Sequence, residues 1–461
     1  MPKQLTTRIG IVLFSALCVA VLAAPGLAAD TPSLTRGDDP VITKGNSFPV
    51  FAAAPLDQLF LYAYKAGQWQ QIPWQFDEMK DGRYVANEDG DLDGDDELAF
   101  MGADAGSKAP VDAWIADASS RTFSRYEIAV TDPLHPEETA WVYLYRSTTL
   151  TDQVTTDYVN YDPGLRVFSS DRFKLGMLPD KLGAATLEMN GSGVDILDRT
   201  KVRISTNFLG TLTEDDVQQD SLPVIHDGRV RAIAGVNEDT RQILTIAYRS
   251  LFHDIVAIDL SAYPAVVIHW VRVSADLSDK AIGGTYYDAN VSAGVPVDGQ
   301  PDNVPSLPST NWWQLSGSTG TVVGVIDVAG IGGTPSNYYK DDATVDSGDT
   351  GDQRSYADSG PRVESPGLKI SLRIWHYVLP ANGPNTGAAI ASGALTPLQA
   401  AATAQTYQAP TTPTATPTQA PTSTPTATLS PTATPTRTPT PTATATTQPL
   451  PHIYLPQMLR G

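Results

Sequence analysis

The side chains best suited to hold a metal ion lie in one run, Asn87-Glu88-Asp89-Gly90-Asp91-Leu92-Asp93-Gly94-Asp95-Asp96-Glu97. Alternate acids at Asp89, Asp91 and Asp93 can turn inward together, and Gly94 permits the sharp bend that a calcium loop needs. Asp95 and Glu97 extend the oxygen set. So many carboxylates without a neighbouring base repel one another unless a cation neutralises them. Calcium is therefore the expected ion, with a solvated acidic turn as the alternative. A second acidic stretch holds Asp341, Asp342, Asp346, Asp349, Asp352 and Asp358, interleaved with glycines and partly offset by Lys340 and Arg354. Its spacing matches no ligand template, so a polar loop is the simpler reading there.

The first run departs from the EF-hand pattern. Its twelfth position from Asp89 is Phe100 rather than Glu, and strand-like residues flank it on both sides. It resembles the DxDxDG calcium loops found outside true EF-hands, which leaves Glu97 or Asp104 to close the shell.

Acid–base chemistry has fewer candidates. Tyr248, Arg249, His253 and Asp254 fall within seven residues. They supply a base, a charge-neutralising group and an acid to a carbohydrate-active enzyme. His269 and His376 alternate with Val267, Val271, Ile374 and Val378, a pattern that reads as histidines at the edge of a core. No GxSxG, HExxH or phosphate-cradling glycine loop is present. The charged run His226-Asp227-Gly228-Arg229-Val230-Arg231 reads as a hairpin turn, with Asp227-Gly228 at positions that tolerate positive φ. Trp312, Trp313, Tyr338 and Tyr339 suit either sugar stacking or an aromatic core.

The elements that must position these groups read as strands. Leu59–Tyr64 and Trp69–Phe76 flank Gly67 as a hairpin. Further runs rich in Val, Ile, Tyr and Trp follow up to Lys369–Val378, punctuated by Gly, Pro, Asn and Asp. Helical periodicity is confined to a weak stretch near Leu395–Ala404. The expected fold is all-β, with one or two β-sandwich domains, divided at a Ser/Thr/Asp stretch into residues 30–150 and 151–385.

The ends carry different signals. Lys3 and Arg8 precede an apolar run from Ile9 to Ala24, and small residues at Gly26, Ala28 and Ala29 offer a cleavage site, so residues 1–29 read as a signal peptide. The single cysteine, Cys18, lies inside it, which leaves no disulfide to stabilise an exported chain. Residues 396–449 are dominated by Thr, Pro and Ala and read as an extended, disordered stalk. Residues 450–461 form a short apolar tail, and the pair resembles the "YLP" endings of bacterial surface proteins with Thr/Pro stalks. No stretch after the signal is long and apolar enough to cross a membrane. The expected location is extracellular or at the cell surface.

With 51 acidic and 31 basic side chains the net charge is −20. Nucleic acid and anionic lipid would be repelled. The segment from Asp227 to Val273, with Val297-Asp298-Gly299-Gln300-Pro301-Asp302 and Asn311-Trp312-Trp313-Gln314, resembles secreted bacterial β-sandwich proteins of uncharacterised function. More distantly it is similar to galactose-mutarotase-like supersandwiches, a fold shared by epimerases and polysaccharide lyases. The resemblance implies a binding or structural module for glycans or cell-envelope components, or alternatively a carbohydrate-active enzyme.

Overall fold

The computed structural model describes residues 34–86, 89–216, 222–305, 311–327 and 332–409. The segments read above as signal peptide (1–29), as stalk beyond Ala409 and as apolar tail (450–461) lie outside the described residues. The all-β expectation holds: strands dominate, and the described residues contain one α-helix, Gly387–Leu395.

The largest sheet has nine antiparallel strands. Its central four are Arg241–Ala247, Leu251–Asp259, Lys369–Leu379 and Thr321–Asp327, in that spatial order. Their inner faces carry Ile243, Val256, Leu372 and Ile374, which pack on Val202, Val271, Val273 and Val363 of a five-stranded sheet. Farther along, Phe252, Trp313, Val322 and Val378 pack on Tyr161, Phe168, Phe173 and Leu187 of a four-stranded sheet. Burying alternate β-branched and aromatic side chains on facing sheets is what holds such a sandwich together.

The N-terminal residues build a smaller sandwich. Three strands, Pro40–Lys44, Glu97–Met101 and Gln75–Asp77, pack Val41, Phe76, Leu98 and Phe100 on a five-stranded sheet that contributes Leu61, Ile128, Val142 and Leu144. The edge of that sheet is Gln399–Thr406, which pairs antiparallel along the whole of Ser124–Asp132 except its last residue. The chain thus returns to its beginning after completing the large sandwich. All described residues belong to one compact unit that ends at Ala409.

Two expectations need correction here. Residues 399–406, assigned from composition to the stalk and partly to a weak helix, form this edge strand. The pleat places Leu398, Ala400 and Ala402 on the core and leaves Gln399, Ala401 and Thr403 in water. His269 is exposed although Val271, two residues on, is buried. A register shift sets Trp270 opposite Ser205 but Ile268 opposite Thr206, so His269 has no partner in the ladder and the face alternation breaks.

The hairpin at Asp227-Gly228 is present, with Gly228 N–H donating to the Arg231 carbonyl. Its glycine is required for a different reason than expected, because neither residue has positive φ. A Cβ at Gly228 would collide with the Gln75 side-chain amide.

If Gln399–Thr406 seals this sheet, a chain ending at Thr396 should melt lower than one ending at Ala409. Calorimetry on the two truncations checks this, and equal melting temperatures would contradict it.

Candidate functional site

Gln75 accepts hydrogen bonds from the backbone N–H groups of Val230 and Arg231, at 2.9 and 2.8 Å. This locks the turn of one sandwich onto a strand of the other and delivers the Arg231 side chain into the junction. Arg231 is buried, with Nε 2.7 Å from Asp77 and Nη2 2.8 Å from Glu97. Nη1 donates to the Tyr248 hydroxyl at 3.2 Å, and the guanidinium lies over the Tyr84 ring. His226 and the Gln75 amide complete the shell of Asp77. Burial alone would raise the Asp77 pKa, but the Arg231 charge and the bonds from His226 and Gln75 outweigh it and hold the carboxyl below its usual range. The His226 ring is raised in turn, chiefly by its hydrogen bond to Asp77.

Beside this junction the outer face of the nine-stranded sheet and the three-stranded sheet enclose a cleft of about 460 Å³. Strand register organises its floor. Ile246, His253 and Trp375 stand in one cross-strand row, Leu244, Ile255 and Arg373 in the next, and Tyr248, Leu251 and Tyr377 on the other side. The rings of His253 and Trp375 stack face to face, 4.4 Å between centroids and 7° from parallel. Lys44, Glu97 and Tyr84 approach from the N-terminal sandwich, and Gly393, Ala394 and Leu398 from the returning chain.

The four acid–base candidates separate. Tyr248 and His253 face the cleft. Asp254, next on the same strand, points the opposite way into the sandwich interior, where it accepts from Thr245 Oγ at 2.7 Å and lies 3.6 Å from His376. Arg249 turns outward to Asp171 at 2.7 Å. Their titration follows from place. Burial, aided by the Arg373 charge, lowers His253 to about 3, and burial raises Asp254 to about 6. Burial also lowers His376 to about 3 and raises Tyr248 and Tyr84 above the phenol range. Trp312 and Trp313 are core residues and Tyr339 packs on Tyr286, as the aromatic-core reading expects, whereas Tyr338 is half-buried under Arg272 and belongs to no core cluster among the described residues.

The acidic loop is closed by backbone bonds. Leu92 N–H donates to the Ala54 carbonyl, Gly45 N–H to Asp96 and Asn46 N–H to Gly94. The buried Asp96 carboxyl accepts from the N–H groups of Met79 and Asp93. Glu97 leaves the loop for Arg231, while Asp89 accepts from the backbone of Asp91. Among the described residues the acidic groups with ligand atoms mutually close enough for one ion are Asp132, His135 and Glu138, and Asp198, Asp276 and Asp352. Neither draws on Asp89, Asp91, Asp93, Asp95 or Glu97.

No family model and no curated protein matches the chain. Among solved structures it is similar to an alpha-mannosidase from Enterococcus faecalis V583, with 10% identity and a TM-score of 0.42, over 80% of this chain and 45% of that one. The chain thus spans less than half of that structure's chain. A likeness at this level carries no argument about activity.

Removing Arg231 strands a buried carboxylate. Arg231→Met should cost about 3–5 kcal/mol in urea unfolding, and adding Asp77→Asn should recover part of that loss. Additive losses would show that the two side chains are not coupled.

Proposed function

We propose that the protein is an exported, surface-displayed binding module for glycans, and that its ligand lies in the cleft over Trp375. The observation that carries this reading is the composition of the cleft. An apolar and aromatic floor formed by Ile246, Ile255, Trp375 and Tyr377 is ringed by hydrogen-bonding groups at Gln242, Lys44, Glu97 and Arg373. A sugar has the matching amphipathic character, with C–H faces and a rim of hydroxyls. The volume falls in the range of small-ligand sites.

Protonation favours binding over turnover. General acid–base catalysis works best with a group that titrates near the working pH. In this cleft burial keeps His253 neutral and both tyrosines protonated, while Glu97 is engaged by Arg231 and the Tyr84 hydroxyl. Export rests on the N-terminal sequence, and display on the Thr/Pro-rich stalk with its apolar tail.

A glycan array with the full chain, followed by calorimetry on the hits, tests this. Trp375→Ala should weaken binding about tenfold or more, equivalent to about 1.4 kcal/mol, with its melting temperature recorded to confirm folding. Assays of the same glycans for new reducing ends and unsaturated uronates should find no product. Turnover that disappears in Glu97→Gln would overturn the binding reading in favour of an enzyme. Unchanged affinity in a folded Trp375→Ala would move the site elsewhere.

A further inference from the structure

The outer face of the five-stranded sheet is polar and yet covered. Register places Arg199 opposite Asp276, Lys201 opposite Ser274 and Arg203 opposite Arg272. On the next strand, Asp358 lies opposite Lys340. The second acidic stretch forms the cover: Asp349 takes Lys201 at 2.6 Å and also pairs with Arg203, whose other partner is Glu214 at 2.6 Å. The cover is pinned where both oxygens of Asp198 accept the backbone N–H of Asp352, at 3.2 and 3.3 Å.

Underneath, not every buried acid is satisfied by hydrogen bonds. Along these ion pairs Asp198, Asp276, Asp349, Asp358, Glu214 and Asp215 meet Arg199, Lys201, Arg203, Arg272 and Lys181, and two of the acids are poorly satisfied. Asp358 is 1% exposed, and neither of its oxygens has a hydrogen-bond partner. Its nearest cationic contact is Arg272, at 3.5 Å. Asp276 is fully buried beside it, one oxygen accepting from Tyr356 N–H and the other meeting only the Lys201 ammonium. A buried carboxylate left without partners costs several kcal/mol unless a cation or a proton compensates it, on the order of the effective penalty per buried ion.

We propose that Asp198, Asp276 and Asp352, above the buried Asp358, bind one divalent cation of the calcium type. Their ligand oxygens all lie within 4.8 Å of one another. That spacing suits oxygens held at about 2.4 Å from a common ion. An all-carboxylate donor set selects a hard cation over zinc or copper, and the irregular geometry of a loop over a sheet suits calcium better than octahedral magnesium. The ion adds positive charge beside these buried acids and fastens the cover to the sheet. The other acidic group differs on the decisive point: Arg36 donates to Asp132 at 3.0 Å and Thr35 N–H to Glu138 at 2.7 Å, and no buried, unpartnered carboxylate faces it among the described residues.

The test is calorimetric titration of the chelator-stripped full chain with calcium chloride, paired with melting curves in calcium and in chelator. The expected result is a site whose affinity falls at least a hundredfold in Asp198→Asn/Asp352→Asn and is unchanged in the acidic-loop variant Asp91→Asn/Asp93→Asn. Calcium should raise the melting temperature of the wild type and of the loop variant alone. Should the double variant fail to fold, Asp352→Asn, at an exposed position, serves in its place and should still lose most of the affinity. Absence of calcium binding, wild-type affinity in either cover variant, or loss confined to the loop variant would each overturn the proposal.

Discussion

A guanidinium buried at the meeting of two sheets has lost its water and must recover the loss from fixed partners. For Arg231 those partners come from both sandwiches: Asp77 and Glu97 on the N-terminal side, Tyr248 on the nine-stranded sheet. The pairing is demanding, because a buried ion pair stabilises only when the geometry is good and the remaining lone pairs are satisfied. Gln75 meets that demand by fixing the backbone on which Arg231 sits and, with its own amide, both oxygens of Asp77. This cluster is the buried centre of the junction between the two sandwiches, which Tyr158–Asp104 and Asn237–Tyr84 also bridge, and it borders the cleft.

The same rule shapes the rest of the molecule. A chain with net charge −20 would gain little from scattering acids over its surface, and many of them instead sit inside polar clusters. Asp77 and Glu97 hold Arg231. Asp276 and Asp349 hold Lys201, and burial together with the nearby charge of Asp358 raises the Asp276 pKa against the pull of Lys201. In the sandwich interior Asp254 and His376 are both driven toward neutrality by burial. Each cluster ties together strands that no disulfide joins, since the sequence holds a single cysteine.

The fold class was legible because inward alternation of Val, Ile and aromatic residues survives in nearly every strand. The hairpin at Asp227-Gly228 was legible as a turn, although its glycine answers to the approach of Gln75 and not to a left-handed φ. The returning strand Gln399–Thr406 was not legible. Ala, Gln and Thr at an edge bury only small side chains, so the composition matches the stalk that follows. His269 misled because a bulge is invisible to strict alternation. The junction escaped for a different reason: Arg231 lies 154 residues from Asp77 and 134 from Glu97, and nothing local marks them as partners. The one available sign was Arg231 at the end of the charged run read as a turn, next to the apolar Ala232-Ile233-Ala234, where an unpaired charge could not be buried. The quartet Tyr248, Arg249, His253 and Asp254 was close in sequence but split by the pleat and the turn, which send neighbouring side chains to opposite faces.

If Arg231 joins the two sandwiches into one cooperative structure, their strands should open together. Native-state hydrogen exchange reads this directly. The amides of Glu97–Met101 and of Ala232–Asn237 should share one opening free energy, close to that of global unfolding. Exchange of Glu97–Met101 at a clearly lower free energy, while Ala232–Asn237 stays protected, would show that the N-terminal sandwich opens alone and that the cluster does not couple the two.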